Sequence, residues 1–185
     1  MIGACLSQGR AQTKSAVSYK NPVVDIAMPD PTVIKAADGY FYVYATESTR
    51  NVPIMKSKDL VEWTYCNTAF TNKTRPRFEP KAGIWAPDIN YISGKYVLYY
   101  AMSVWGGEQT CGIGVATANS PQGPFTDHGK MFRSNEIGVQ NSIDPSLLQY
   151  EGRNYLVWGS FRGIYVIELT ADGLSIMPGA KKKRI

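Results

Sequence analysis

The sequence predicts an all-β protein built as about three blades of a β-propeller. Three observations carry that prediction. A segment recurs with a period of about 57 residues, the composition favours short strands and turns, and no stretch shows the 3.6-residue apolar period of a helix.

The repeat is legible residue by residue. The first copy runs Asp30-Pro31-Thr32-Val33-Ile34, then Asp38-Gly39-Tyr40-Phe41-Tyr42-Val43-Tyr44-Ala45. The second runs Ala86-Pro87-Asp88-Ile89, then Ser93-Gly94-Lys95-Tyr96-Val97-Leu98-Tyr99-Tyr100-Ala101. The third runs Asp144-Pro145-Ser146-Leu147-Leu148, then Glu151-Gly152-Arg153-Asn154-Tyr155-Leu156-Val157-Trp158-Gly159. The prolines at 31, 87 and 145 are 56 and 58 residues apart, and the turn glycines at 39, 94 and 152 are 55 and 58 apart.

Each unit reads as an acidic turn, a short apolar strand, a Gly hairpin and a longer strand rich in Tyr and Val. Further strands follow, such as Val52 to Lys56 and Gly112 to Thr117, with a turn signal over Ser120 to Phe125. About four strands per unit describes a propeller blade, against a β-sandwich whose internal likeness is coincidental. Propellers close with typically four to eight blades. Three units occupy this chain, so the expectation is a partial ring lacking its C-terminal blades.

Composition agrees. The 12 Tyr, 17 Gly and 11 Pro among 185 residues suit many strands and turns. The net charge of +5 does not signal nucleic-acid binding. Four of the basic residues form the terminal cluster Lys181 to Arg184, read as a solvated or disordered tail, and no basic stripe with interleaved aromatics appears.

Cys5, Cys66 and Cys111 form no C-x-x-C pair, which argues against zinc. Ile2-Gly3-Ala4-Cys5 is similar to the end of a bacterial lipoprotein signal, although no charged start or apolar stretch precedes it. Residues 1–20 therefore divide off as a tether or signal remnant, with Ser7 to Ser18 as its polar run, and 21–185 form the partial propeller. Cys66 and Cys111 could form a disulfide in an exported protein, and the sequence leaves that open.

The chemistry gathers at the turns. Asp30, Asp88 and Asp144 stand at the entrances to the first strands, which line the channel in a propeller. Carboxylates around one mouth suit glycosidic cleavage, which needs an acid with a raised pKa and a base that activates water. An Asp beside Pro is also an ordinary turn former, and for Asp88, which follows its proline, that is the preferred reading.

These residues resemble glycoside hydrolase family 43. The resemblance rests on Asp30-Pro31, Ile84 to Ile89, Asn141 to Pro145, Ser57 to Trp63 and Ser120 to Phe125, in that family's order, and extends from Asn21 to Leu169. It implies a five-bladed propeller hydrolysing arabinans, xylans and related chains with inversion. Asp30 matches the general base, and Asp144 the carboxylate that orients the general acid and keeps its pKa high. Trp85, Trp105, Asn141, Ser160 and Phe161 match cleft positions, the last two within Gly159 to Gly163. The segments at 141–145 and 159–161 most resemble arabinan-cleaving members.

Inversion also needs a glutamic acid opposite the base, roughly 6.5–9.5 Å away. The family supplies it from the blade after the one bearing Asp144, which falls beyond Ile185. Glu47, Glu62, Glu79, Glu108, Glu136, Glu151 and Glu168 do not occupy a matching turn. The sole histidine, His128, lies in Thr126 to Gly129, read as a turn, so no metal and no other cofactor is expected of this chain, while the full-length family fold allows calcium.

The resulting expectation is an extracellular, periplasmic or outer-surface bacterial glycosidase acting on an arabinan-type polysaccharide or oligosaccharide through α-L-arabinofuranosidic bonds. It is incomplete without its acid and meets a membrane only through a lipid at Cys5. The alternatives are a non-catalytic carbohydrate-binding propeller fragment and a xylosidase-type member of the family.

Overall fold

The structure is a computed structural model that describes residues 19–185. Cys5 and the run from Ser7 to Ser18 lie outside the described residues. No helix among the described residues is long and apolar enough to cross a membrane.

Twelve strands form three four-stranded antiparallel sheets, each a meander in chain order. The first blade holds β1 (Thr32–Lys35), β2 (Phe41–Tyr44), β3 (Pro53–Ser57) and β4 (Thr64–Thr68). The second holds β5 (Gly83–Ile92), β6 (Lys95–Ser103), β7 (Gly112–Ala118) and β8 (Thr126–Arg133). A single helical turn, α1 (Ser134–Ile137), leads to the third, with β9 (Ser146–Tyr150), β10 (Arg153–Ser160), β11 (Gly163–Leu169) and β12 (Lys183–Arg184). Gly39, Gly94 and Gly152 turn the first hairpin of each blade with φ of 83°, 82° and 74°, the left-handed region that glycine enters without a Cβ penalty.

The middle blade explains the cohesion. Along β6, Tyr96, Leu98, Tyr100 and Met102 face Tyr42, Tyr44, Ile54 and Phe70 of the first blade. The alternate residues Val97, Tyr99 and Ala101 face Leu156, Trp158 and Ile167 of the third. A strand buried on both faces reads as continuous apolar sequence, which is why Tyr96 to Met102 carries no polar alternation. Removing Leu98, which has no exposed surface, to Ala would cost about 2–5 kcal/mol. Gly114 sits opposite Tyr100, and a Cβ there would meet the Tyr100 hydroxyl at 2.3 Å.

The first strands of successive blades are neighbours. Ile89 N–H donates to Thr32 Oγ1 at 3.4 Å, and Leu147 N–H donates to Asp88 Oδ2 at 2.7 Å. Thr32 and Asp88 each stand one residue after the repeat's proline, so one position latches each blade to the next.

Three expectations are corrected, and the open question of the two cysteines is answered. Thr126 to Gly129 is not a free turn but the start of β8, where Asp127 Oδ1 accepts Gly129 N–H at 2.9 Å and the register shifts opposite Gly114. The turn chemistry is present, spent on a bulge. The basic cluster Lys181 to Arg184 is not a free tail, because Lys183 and Arg184 pair with Val166 and Tyr165 to complete the third sheet, their side chains left in solvent. Cys66 and Cys111 are both free thiols: Cys66 lies on β4, while buried Cys111 contacts Ser134 Oγ at 3.2 Å in the second blade. Asp88 is no turn former, for it lies inside β5.

Candidate active site

Three non-glycine residues precede the repeat prolines with positive φ: Asp30 at 48°, Ala86 at 40° and Asp144 at 54°. A residue before proline prefers extended backbone, so this conformation costs of order 1–3 kcal/mol each and marks functional ground. The residue equivalent to Asp30 and Asp144 is therefore Ala86, and the carboxylate at that turn is present in two blades of the three.

Asp30 is exposed and held by one hydroxyl. Thr46 Oγ1 donates to Asp30 Oδ2 at 2.6 Å while accepting Ala86 N–H at 2.7 Å. Because the amide fills the acceptor role, the hydroxyl proton is committed to Asp30. Thr46 thus fixes the first-blade carboxylate against the second blade.

Burial, and then the charge of Asp30, pushes the Asp144 carboxyl above the ordinary aspartate range. The two carboxylates stand at equivalent turns of the first and third blades. Burial likewise raises the Asp88 carboxyl, opposed by hydrogen bonds from Leu147 N–H and Asn90. Asp88 Oδ2 accepts Asn90 Nδ2 at 2.7 Å besides the Leu147 amide.

Beside the carboxylates lies a cleft of about 400 Å³. Asp144 and all five residues nominated for sugar contact, Trp85, Trp105, Asn141, Ser160 and Phe161, line it, whereas Asp30 joins its edge through Thr46 and Ala86, next to Trp85. Trp105 is 94% exposed and Phe161 77%, so two large aromatic faces stand open on this one cleft. Half-buried Trp85 supports Trp105, their rings 5.4 Å apart and tilted by 49°. Asn141 is buried instead, its N–H donating to Glu108 O at 2.7 Å, so it props the floor. Ser160 Oγ accepts Arg162 N–H at 3.3 Å in the turn that presents Phe161.

Sequence reading missed three contributors. Thr46 is one. Glu108 lines the cleft, its Oε2 accepting Arg162 Nε at 3.0 Å and Gln140 Nε2 at 2.7 Å, which ties the second blade's loop to the third's. Glu47 and Arg75 form a buried two-point ion pair. Glu47 also accepts Asn51 N–H at 2.7 Å and Ile84 N–H at 3.0 Å, fixing the strand end that carries Trp85. Burial drives the Glu47 carboxyl upward, but Arg75 and the two amides outweigh it and hold it below the usual range.

His128 on β8 meets Thr117 Oγ1 of β7 through its Nε2 at 2.8 Å, and no group of three or more His, Cys, Asp or Glu placed to hold a metal ion occurs among the described residues.

Asp144 and the open aromatics thus share one cleft, with Asp30 at its edge. The chain belongs to family 43 of the glycosyl hydrolases, whose model matches residues 19–185. It is 37% identical over 140 residues to the extracellular endo-α-(1→5)-L-arabinanase 1 of Bacillus subtilis (strain 168), covering 71% of this chain and 43% of that one. It is 32% identical over 137 residues to arabinan endo-1,5-α-L-arabinosidase A of Aspergillus niger, covering 71% and 41%. Among solved structures, the Cellvibrio cellulosa α-L-arabinanase complexed with arabinohexaose matches with a TM-score of 0.75 and 27% identity, over 86% of this chain and 53% of that one. The native Bacillus subtilis arabinanase matches with a TM-score of 0.73 and 32% identity, over 84% and 56%. The chain thus spans under half the length of these two curated relatives.

Proposed function

We propose that this chain is the base-bearing, substrate-binding part of an inverting glycosidase that cleaves α-L-arabinofuranosidic bonds in arabinan. The observation that carries the proposal is the cleft itself, where Asp144 lies beside Trp85 and Trp105 while Thr46 ties Asp30 to Ala86 at its edge. The relatives' names favour arabinan over xylan. Arabinose rings stack on the Trp105 and Phe161 faces. Asp30, with Oδ2 engaged by Thr46, takes the proton of the attacking water on Oδ1. Asp144 orients the acid and disfavours its ionisation.

The acid comes from polypeptide outside the described residues, in a C-terminal part of the ring. Supporting this, Glu47, Glu79, Glu108, Glu136 and Glu168 are each bound to an Arg or Lys. Glu151 occupies the exposed β9–β10 hairpin, and exposed Glu62 donates its N–H to Asp59 in the β3–β4 turn. The name of the Bacillus subtilis relative favours an exported protein, with Cys5 as the lipid-bearing residue and 1–20 as a tether. Fatty-acid labelling lost in Cys5→Ser tests that part. Any calcium requirement would belong to the whole ring, and chelation during refolding of the chain should leave its melting unchanged.

Calorimetry with arabinohexaose and xylohexaose tests the cleft, and release of reducing ends from linear arabinan tests the chemistry. The expected result is binding of the arabinan oligomer alone, without turnover. Turnover abolished by Asp30→Ala would place the acid within this chain and overturn that assignment; absence of binding would refute the cleft.

A further inference from the structure

A second cavity, of about 450 Å³, opens where the β4–β5 connection meets β6. Its rim carries Arg50, Arg77 and Lys81, all exposed. Asn72 pins both guanidinium groups: Arg50 Nε donates to its Oδ1 at 3.0 Å, and Arg77 Nη2 to its backbone O at 2.9 Å. None of the three cations pairs with a carboxylate among the described residues, whose ion pairs belong to Arg75, Lys130, Arg133, Arg153 and Arg162. The nearby acids are already occupied, Glu47 by Arg75 and Glu79 by Arg133.

Two guanidiniums bonded to one asparagine, with a lysine on the same rim, form an uncompensated positive field with free N–H groups. A planar carboxylate matches that fork geometry. The floor contains Ala82 and Met102, and Trp85 and Ser103 further along the same two segments line the aromatic cleft. Gly83 pairs with Ser103, so both cavities open at the same end of the β5–β6 pair. A glycan extending from the cleft across that end toward the first blade would meet the cationic rim.

We propose that this cavity binds the carboxylate of an acidic sugar, a uronic acid unit, in the glycan that the cleft holds. The proposal deepens the reading of the cleft as a glycan site and rests on it. The experiment titrates the 185-residue chain at low salt with trigalacturonate, arabinotriose and sulfate, and repeats each with Arg50→Gln/Arg77→Gln and with Lys81→Gln. Trigalacturonate affinity is expected to fall roughly tenfold in the double variant and less in Lys81→Gln. It should also weaken as salt rises. Arabinotriose binding should be the same in all three proteins. Unchanged uronate affinity in both variants overturns the proposal, as does sulfate binding as tightly as the uronate, which would make the pocket a bare anion trap. Arginine-dependent uronate binding without arabinotriose binding supports the pocket while refuting the neutral-sugar cleft.

Discussion

Replacing Glu47 with Ala tests the idea that a buried ion pair aligns the cleft. Side-chain exposure is 9% for Glu47 and 7% for Arg75, so solvent screens the pair little. Arg75 binds both Glu47 oxygens and also donates to Ala82 O at 2.8 Å and Asn51 Oδ1 at 3.2 Å. Removing the carboxylate leaves a buried guanidinium with neutral acceptors alone and orphans the Asn51 and Ile84 amides. Breaking such a pair costs about 3–5 kcal/mol, a large share of a domain's stability. Urea unfolding at 25 °C and pH 7 of the wild type, Glu47→Ala, Arg75→Ala and the double variant measures it. Each single variant should lose about 3–5 kcal/mol, and the double variant no more than the worse single. The sign with pH follows from the lowered Glu47 pKa. Its contribution is present above the unfolded value of about 4.3 and is lost as pH falls through the folded value, so the gap between wild type and Glu47→Ala should narrow below about pH 4. Single losses under about 1 kcal/mol, as for an exposed pair, would refute the reasoning.

Trp105→Ala should leave stability within about 0.5 kcal/mol, its ring being 94% exposed, yet weaken arabinohexaose binding seen by tryptophan fluorescence; undiminished affinity would remove Trp105 from the sugar path. Asp144→Asn should raise the melting temperature at pH 7 but not at pH 3. The raised Asp144 pKa favours folding below the unfolded value and penalises it as pH rises through the folded one, so a gain at pH 3 would contradict the cause given. Asp88→Ala orphans the Leu147 amide and should cost about 1–3 kcal/mol in urea unfolding, whereas Asp88→Asn keeps an acceptor and should cost less; the reverse order would sink the blade latch.

The three blades were legible because their signal is periodic: a proline, a hairpin glycine and a Tyr-Val strand recur in each unit, and each copy supports the others. The cleft aromatics were legible through motif resemblance. What escaped lacks any period. Glu47 and Arg75 are 28 residues apart, and Thr46 acts on Ala86 from 40 residues away, so composition cannot announce either bond. Asp88 looked like a turn residue because the Pro-Asp pair usually is one, and only the pairing of β5 with β6 shows it inside a strand. Lys183 and Arg184 looked like a tail because charge marks side chains, whereas joining a sheet edge needs only backbone.

The irregularity in β5 ties several of these features together. Trp85 and Asp88 are three residues apart, but their partners on β6, Ala101 and Tyr99, are only two apart. One surplus residue shifts the phase of the strand, so that Trp85 and Asp88 emerge on the same side despite their odd separation. That side faces the third blade: Trp85 joins the aromatic cleft, and Asp88 reaches Leu147. Deleting the surplus residue would restore the regular two-residue spacing and keep both side chains on that side, whereas replacing the bulge by regular pairing without a deletion would send Asp88 toward the first blade and unfasten the third. The bulge thus decides which blade Asp88 fastens, whatever side chains Ala86 and Pro87 contribute.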